Sequence, residues 1–249
     1  CQDPATKHIV LISKPPPARV AAEVIDHLGS SNKPATVCFI GSKKLTVPDN
    51  VMQVYSLRAA ARAALSMEVE SAPPPDCPFK IPEDRSLVQG LYSGGTLCAE
   101  AQAIFVEAGI EIFSNTPIPG VLPITKDQTG HRLIDMGDDQ FTKGRPHPMI
   151  DPSVRDEAII SAFRNPDTAL ILVDVVIGYG AHADPAGYLA GITREHALAD
   201  GPVLIASVTG TEGDPQRHSS QVSKLRNAGI VVAPSNADAA ELAVKAILS

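Results

Sequence analysis

The chain has no tryptophan, and aromatic residues make up only 4% of its 249 positions. Its core must therefore come from Val, Ile, Leu and Ala, which suits parallel strands covered by helices on both faces. Cysteine is also sparse. Cys1, Cys38, Cys77 and Cys98 stand far apart, with no C-x-x-C spacing. That excludes a disulfide framework and a zinc module, and leaves Cys38 and Cys98 as buried thiols. No apolar run approaches the length of a membrane span, and nothing has the form of a signal peptide. Lys and Arg number 21 against 28 Asp and Glu, a formal net charge of −7. Neutralising nucleic-acid phosphates needs a basic face, so a nucleic acid is not an expected partner; the lack of an apolar span makes a membrane equally unexpected, and reduced thiols make the cytoplasm the expected location. The chain opens on Cys1 rather than Met, which suggests a fragment or a processed chain.

What is present alternates. Val88 to Tyr92 predicts a strand, Ser93-Gly94-Gly95-Thr96 a turn, and Leu97, Ala101, Ile104, Phe105 and Ala108 one helical face closed by Gly109. A long segment rich in Thr, Pro and Gly precedes a second strand at Arg132 to Asp135. Asp151-Pro152 predicts the start of a helix running to about Arg164. Ala169 to Ile177 is almost wholly aliphatic, as a strand buried on both faces should be. Asp184-Pro185 opens a helix ending near Asp200, Pro202 to Val208 is a fourth strand, and Asp214-Pro215 caps a helix ending at Gly229. Ile230 to Ala233 and a helix through Ala240, Val244 and Ile247 close the series. Five strands alternating with five helices predict a doubly wound α/β fold with a parallel sheet in flavodoxin-like order. Residues 1–68 read as a partial unit of the same kind, 69–85 with Pro73-Pro74-Pro75 as a linker, and 86–249 as the complete domain.

In such sheets ligands lie beyond the carboxyl ends of the strands, at the switch point. Several unusual segments should meet there. Ser93, Gly94, Gly95 and Thr96 stand at a helix N-terminus, where exposed N–H groups and the helix dipole favour an anion, although an ordinary strand-to-helix turn would look the same. Gly137 to Pro148 is crowded with charge. Arg145 can grip a carboxylate or phosphate with two bonds, and Lys143 can act as a point charge beside Gly144. Asp138 and Asp139 can hold Mg²⁺ or cap a turn, and Thr142 lies beside them. His147, between two prolines, is either a general acid or base or a brace for its loop. Asp174 inside the apolar strand needs hydrogen-bonding partners, whether for catalysis or to cap the loop of Gly178 and Gly180. Gly178 and Gly180, with Thr209, Gly210 and Thr211, can complete a phosphate or substrate pocket.

These segments resemble a known family. GLYSGGTLCAEA (90–101), DMGDDQFTKGRPHPMIDPSVR (135–155), LVDVVIGYGAHADPA (172–186) and VTGTEGDPQ (208–216) are similar to the FdrA proteins. VLISKPP (10–16) and KPATVCFIG (33–41) extend the likeness into the first unit. FdrA proteins belong to the acyl-CoA synthetase superfamily typified by succinyl-CoA synthetase. The resemblance implies two flavodoxin-like domains, CoA and a nucleotide with Mg²⁺ as cofactors, and a phosphorylated acyl intermediate whose phosphoryl group passes to a histidine between two helix N-termini. On that resemblance the Ser93 turn matches one of those helix starts and the loop from Gly137 to Lys143 the other.

The sequence departs from the pattern twice. The segment Gly41 to Val51, where the resemblance would place the phosphohistidine, contains no histidine, and the N-terminal CoA-binding domain of the superfamily has no counterpart. The expectation is a subunit or fragment of an FdrA-type enzyme handling an acyl or carbamoyl phosphate. Its partners would be other enzyme subunits or a CoA-binding-like domain, and an oligomer is expected. CoA ligation, carbamoyl transfer in oxamate or allantoin breakdown, and a non-catalytic assembly or binding role compete within that expectation.

Overall fold

The computed structural model describes residues 3–66, 77–125 and 128–249. The chain forms two compact units, Cys1–Pro73 and Pro74–Ser249.

In the first unit β1 (Ile9–Ser13), α1 (Ala18–Gly29), β2 (Ala35–Phe39), β3 (Val51–Gln53) and α2 (Leu57–Ala64) follow in order. The strands pair in parallel as β1-β2-β3. Ala21, Ile25 and Leu28 recur at helical spacing on α1 and pack over Val37, Phe39 and Val51. β2 is buried along its whole length, whereas β1 is an edge strand whose Val10 and Ile12 stay exposed. α2 ends at Ala64, beyond which Ser66 takes φ 54°. Met67, and the part of the expected linker from 69 to 76, lie outside the described residues. Residues 77–85 are not free linker. Arg85 donates to the carbonyls of Asn165 and Thr168, and Ser86 to that of Asp167, so the second unit holds this segment against its own sheet.

The second unit contains β4 (Leu87–Tyr92), α3 (Gly95–Glu107), β5 (Ile112–Ser114), β6 (Leu122–Pro123), β7 (His131–Asp135) and the single turn α4 (Asp139–Thr142). A 3-10 turn at Pro152–Arg155 leads into α5 (Asp156–Arg164). Then come β8 (Thr168–Val176), α6 (Pro185–His196), β9 (Val203–Thr209), α7 (His218–Asn227), β10 (Val231–Ala233) and α8 (Asn236–Leu248). The sheet order is β10-β9-β8-β4-β7-β5-β6, and every pairing is parallel. β4 lies between β7 and β8, which is the flavodoxin-like switch point. Helices α3 and α8 cover one face, and α5, α6 and α7 the other. Aliphatic residues fill the second face: Ile171, Val173 and Val175 of β8 meet Ile159, Phe163 and Leu189.

Three expectations need correction. The sheet has seven strands rather than five, because Ile112–Ser114 and Leu122–Pro123 pair beyond β7; they are too short, and too close to Pro117, Pro119 and Gly120, to show a period. α6 stops at His196 rather than near Asp200. α7 starts at His218 rather than at Asp214-Pro215, because the Asp214 carboxylate accepts instead from the N–H and hydroxyl of Thr211 and closes a tight loop.

At the other end of the sheet, His131 begins β7 and its Nδ1 accepts the N–H of Val88 at 3.1 Å. That bond requires an unprotonated Nδ1, and burial holds the imidazole below its usual 6.5. The folded chain therefore binds the proton more weakly than the unfolded chain. The stability this contributes is complete above about pH 6.5 and is lost as pH falls through the lower folded value. Denaturant midpoints should fall between about pH 7.5 and about 5.5. In His131→Asn, whose amide oxygen accepts without titrating, that part of the slope should vanish; an unchanged slope would mean that His131 is not its source.

Candidate functional site

The register brings the ends of the central strands to one level. Tyr92 lies opposite Asp135, Leu91 opposite Val173, Asp174 opposite Ser207 and Val176 opposite Thr209. The loops after β4, β7, β8 and β9 therefore leave the same edge of the sheet.

At its centre is Asp174, fully buried in β8. Its Oδ1 accepts the N–H of Ser93 at 2.7 Å, and its Oδ2 accepts the Ser93 hydroxyl. Arg155, also buried, reaches over the strand ends from the 3-10 turn. Its Nη1 donates to Asp174 Oδ1 at 3.0 Å, to the Asp174 carbonyl at 3.0 Å and to the Leu91 carbonyl at 3.2 Å. A buried carboxylate is tolerated when it is paired and hydrogen-bonded, and here both conditions hold. Asp174 thus braces the turn beneath α3 from inside the sheet. Neighbouring groups stay neutral: burial pushes the Tyr92 phenol well above its usual range and the Cys98 thiol up to about 12.

His147 stands against the same turn. Its Nδ1 accepts the N–H of Met149 at 3.3 Å, so in the neutral ring the proton falls on Nε2. A Cβ at Gly137 would lie 2.5 Å from His147 Nε2 and 2.6 Å from the Ser93 carbonyl oxygen, and one at Gly94 would lie 4.0 Å from His147 Cε1. Gly137 is therefore a close-approach glycine that lets the imidazole reach the turn. His147 also braces its own loop, because its carbonyl accepts from Ile150 and Asp151. Asn115 binds β7 just below, exchanging side-chain bonds of 2.9 Å with the N–H and carbonyl of Asp135.

The other expected anion segments are closed by the chain's own side chains. Asp138 caps α4 by accepting from Gln140, and Thr142 donates back to the Asp138 carbonyl. That is the turn-capping role for Asp138, while Asp139 is exposed. Lys143, Gly144 and Arg145 are exposed. Hydrogen bonds from Ser153 hold the Asp151 carboxyl below its usual range. Gly178 exchanges both backbone bonds with the Gln216 amide, and Gly180, at φ 83°, follows on the exposed tip of this loop. The first N–H groups of α6 go to Gln221 and Asp184. Burial works against the charge on Asp184, but Lys224, Gly187 and Gln221 outweigh it and hold the carboxyl low. Beyond Thr209, Gly210 takes φ 147°, the N–H of Thr211 is taken by Asp214, and Glu212 accepts from Ser219 in the first turn of α7.

Only Ser93 to Thr96 differs. Gly94 is the N-cap of α3 and no side chain among the described residues caps that helix, so the first N–H groups of α3, at Gly95 and Thr96, are left without a side-chain acceptor. The structure therefore brings Ser93, Gly94, Gly95, Thr96, Gly137, His147 and Asp174 together, and leaves Lys143 and Arg145 exposed on a neighbouring loop. Arg155, Gln216, Gln221 and Asn115 were not expected. The lone carboxylate in ALILVDVVI demanded a partner, but nothing in the pattern singled out Arg155 among the arginines.

Residues 91–246 match the CoA-ligase family. Over 97% of its length the chain is 33% identical to "Uncharacterized protein YahF" of Escherichia coli (strain K12), an alignment of 260 positions that covers 50% of that protein. The chain thus spans about half the length of this relative. Among solved structures, the dinucleotide forming acetyl-coenzyme A synthetase 1 of Ca. Korarchaeum cryptofilum, in complex with phosphate and ADP, is 16% identical, with 99% of this chain and 54% of that chain covered and a TM-score of 0.44. The family match runs from the end of β4 into α8 and so includes every loop at the upper edge. On that match, which covers more than half of its residues, the chain belongs to the CoA-ligase family.

Proposed function

We propose that the chain is part of an acyl-CoA-synthetase-like enzyme and that the N-terminus of α3 holds the phosphate of an activated acyl group. One observation carries this reading. Of the helical runs that start at the upper edge, with the Pro152 turn and α5 taken as one, α3 alone has no side-chain acceptor among the described residues. Uncapped N–H groups with the positive end of the helix dipole form an anion site, and carboxylates close the neighbouring sites to an external anion. CoA and nucleotide, which the family implies, both carry phosphates that fit this feature, and when bound they would supply the thiol acceptor and the phosphoryl group. His147, beside the turn with Nε2 toward Gly137, is the candidate proton carrier, and Asp174 is the group that holds Ser93.

Carbamoyl transfer is the second reading. It is favoured by the resemblance to FdrA proteins and by the absence of histidine from Gly41 to Val51, since transfer from carbamoyl phosphate needs no phosphoenzyme. Both readings use the same anion site. Partner subunits, an oligomer and a cytoplasmic setting belong to either; no described helix is long and apolar enough to cross a membrane.

Two measurements follow. Gly95 is the first residue of α3, and Gly94 before it is extended at φ −165°, ψ 156°, so Gly95→Pro fits the backbone while removing one N–H. Phosphate affinity should drop about tenfold with the melting temperature almost unchanged; equal affinity would place the anion elsewhere. The second measurement is turnover. The chain, alone and with candidate partner subunits, is given carboxylic acid, CoA and nucleotide, or carbamoyl phosphate with an amide or amino acceptor. CoA-dependent thioester formation supports the first reading and CoA-independent consumption of carbamoyl phosphate the second. No turnover under any combination would favour a non-catalytic assembly subunit.

A further inference from the structure

The guanidinium of Arg155 lies where β4 and β8 part. Leu91 opposite Val173 is the last pair of their ladder, and beyond it the carbonyls of Leu91 and Asp174 both turn to Nη1 of Arg155. The N–H of Ser93, which would otherwise seek a strand partner, finds the Asp174 carboxylate. A relay of Arg155, Asp174 and Ser93 therefore sets the direction in which the backbone enters Gly94 and Gly95. A buried ion pair is a poor source of stability, because apolar side chains of similar volume hold strands at least as well. What apolar residues cannot do is fix the direction of an N–H and a hydroxyl. The residues facing Asp174 from β4 and α3, Tyr92 and Cys98, stay neutral, so Arg155 is the cation paired with it.

We propose that Arg155 is a positioning residue for the α3 anion site: by holding the Asp174 carboxylate it fixes Ser93, and through Ser93 it aims the N–H groups of Gly95 and Thr96 out of the sheet edge. The inference rests on the reading of α3 as the phosphate site. Arg155 does not touch the anion. Its guanidinium lies below the turn and contributes by orientation and by cancelling the charge of Asp174, which would otherwise repel a phosphate.

The test is a titration of the isotopically labelled 249-residue chain with inorganic sulfate at constant ionic strength, following backbone amide signals. Wild type should show saturable shifts at Gly95 and Thr96. Arg155→Met should weaken binding about tenfold or more, while Arg155→Lys, which restores a cation to Asp174, should recover most of it. Because Arg155→Met can fail to fold by leaving a buried charge unpaired, the double variant Arg155→Met with Asp174→Leu is the deciding one. It removes both charges and keeps the volume apolar, so it should fold, less stably than wild type because Ser93 and the Leu91 carbonyl lose buried partners, and bind sulfate as weakly as the single variant. A folded double variant that binds like wild type would overturn the positioning role and leave the anion site standing. No shift at Gly95 and Thr96 in wild type would overturn the anion site itself, and this proposal with it.

Discussion

The upper edge of the second unit depends on how one charge is met. Asp174 sits in a nine-residue strand buried along nearly its whole length, with β4 on one side and β9 on the other. No water can solvate it there, so the strand is stable only if the chain brings donors to both carboxylate oxygens. It brings the Ser93 N–H and the Arg155 guanidinium to Oδ1 and the Ser93 hydroxyl to Oδ2. Each donor comes from a different connection, the turn after β4 and the turn before α5. Meeting the charge therefore fixes both connections, and the position of α3 follows from the first.

Charge and close packing act together at this edge. The Ser93 turn is held from inside by Asp174 and faced from outside by His147, and the imidazole reaches it because Gly137 has no side chain. Any side chain at Gly137 would strike both the His147 ring and the Ser93 carbonyl, so the loop after β7 packs closely on the turn after β4. Gln216 ties the loop after β8 to the one after β9, and the Met149 carbonyl, accepting from His182, ties the loop after β7 to that after β8. Four connections behave as one surface, with a rigidity suited to a site that must present N–H groups in a fixed direction.

The sequence made the frame legible wherever one residue pattern had one physical solution. ALILVDVVI has no polar face to offer water and could only be a central strand. Asp151-Pro152 and Asp184-Pro185 carry both a cap and a helical first turn, and each opens a helix or the turn leading into one. Asp214-Pro215 has the same signature and does not, because its carboxylate finds Thr211 behind it before the helix ahead of it. β5 was hidden for the opposite reason: three buried residues are enough to pair with β7 but too few to display a period.

The site itself was only half legible, and the missing half is a matter of distance along the chain. Four glycine-bearing loops of similar composition all looked open to a phosphate. What separates them is whether another residue has already taken their N–H groups. Asp138 does so locally and could be read as a cap. Gln216 reaches Gly178 across 38 positions and Gln221 reaches Ala186 across 35, and no local pattern announces either contact. An anion site in a doubly wound sheet is thus defined less by the glycines that open a turn than by the absence of acceptors elsewhere in the chain. At α3 that absence coincides with a turn held from below by a neutralised carboxylate, and this coincidence marks Gly95 and Thr96 as the donors available to an external anion.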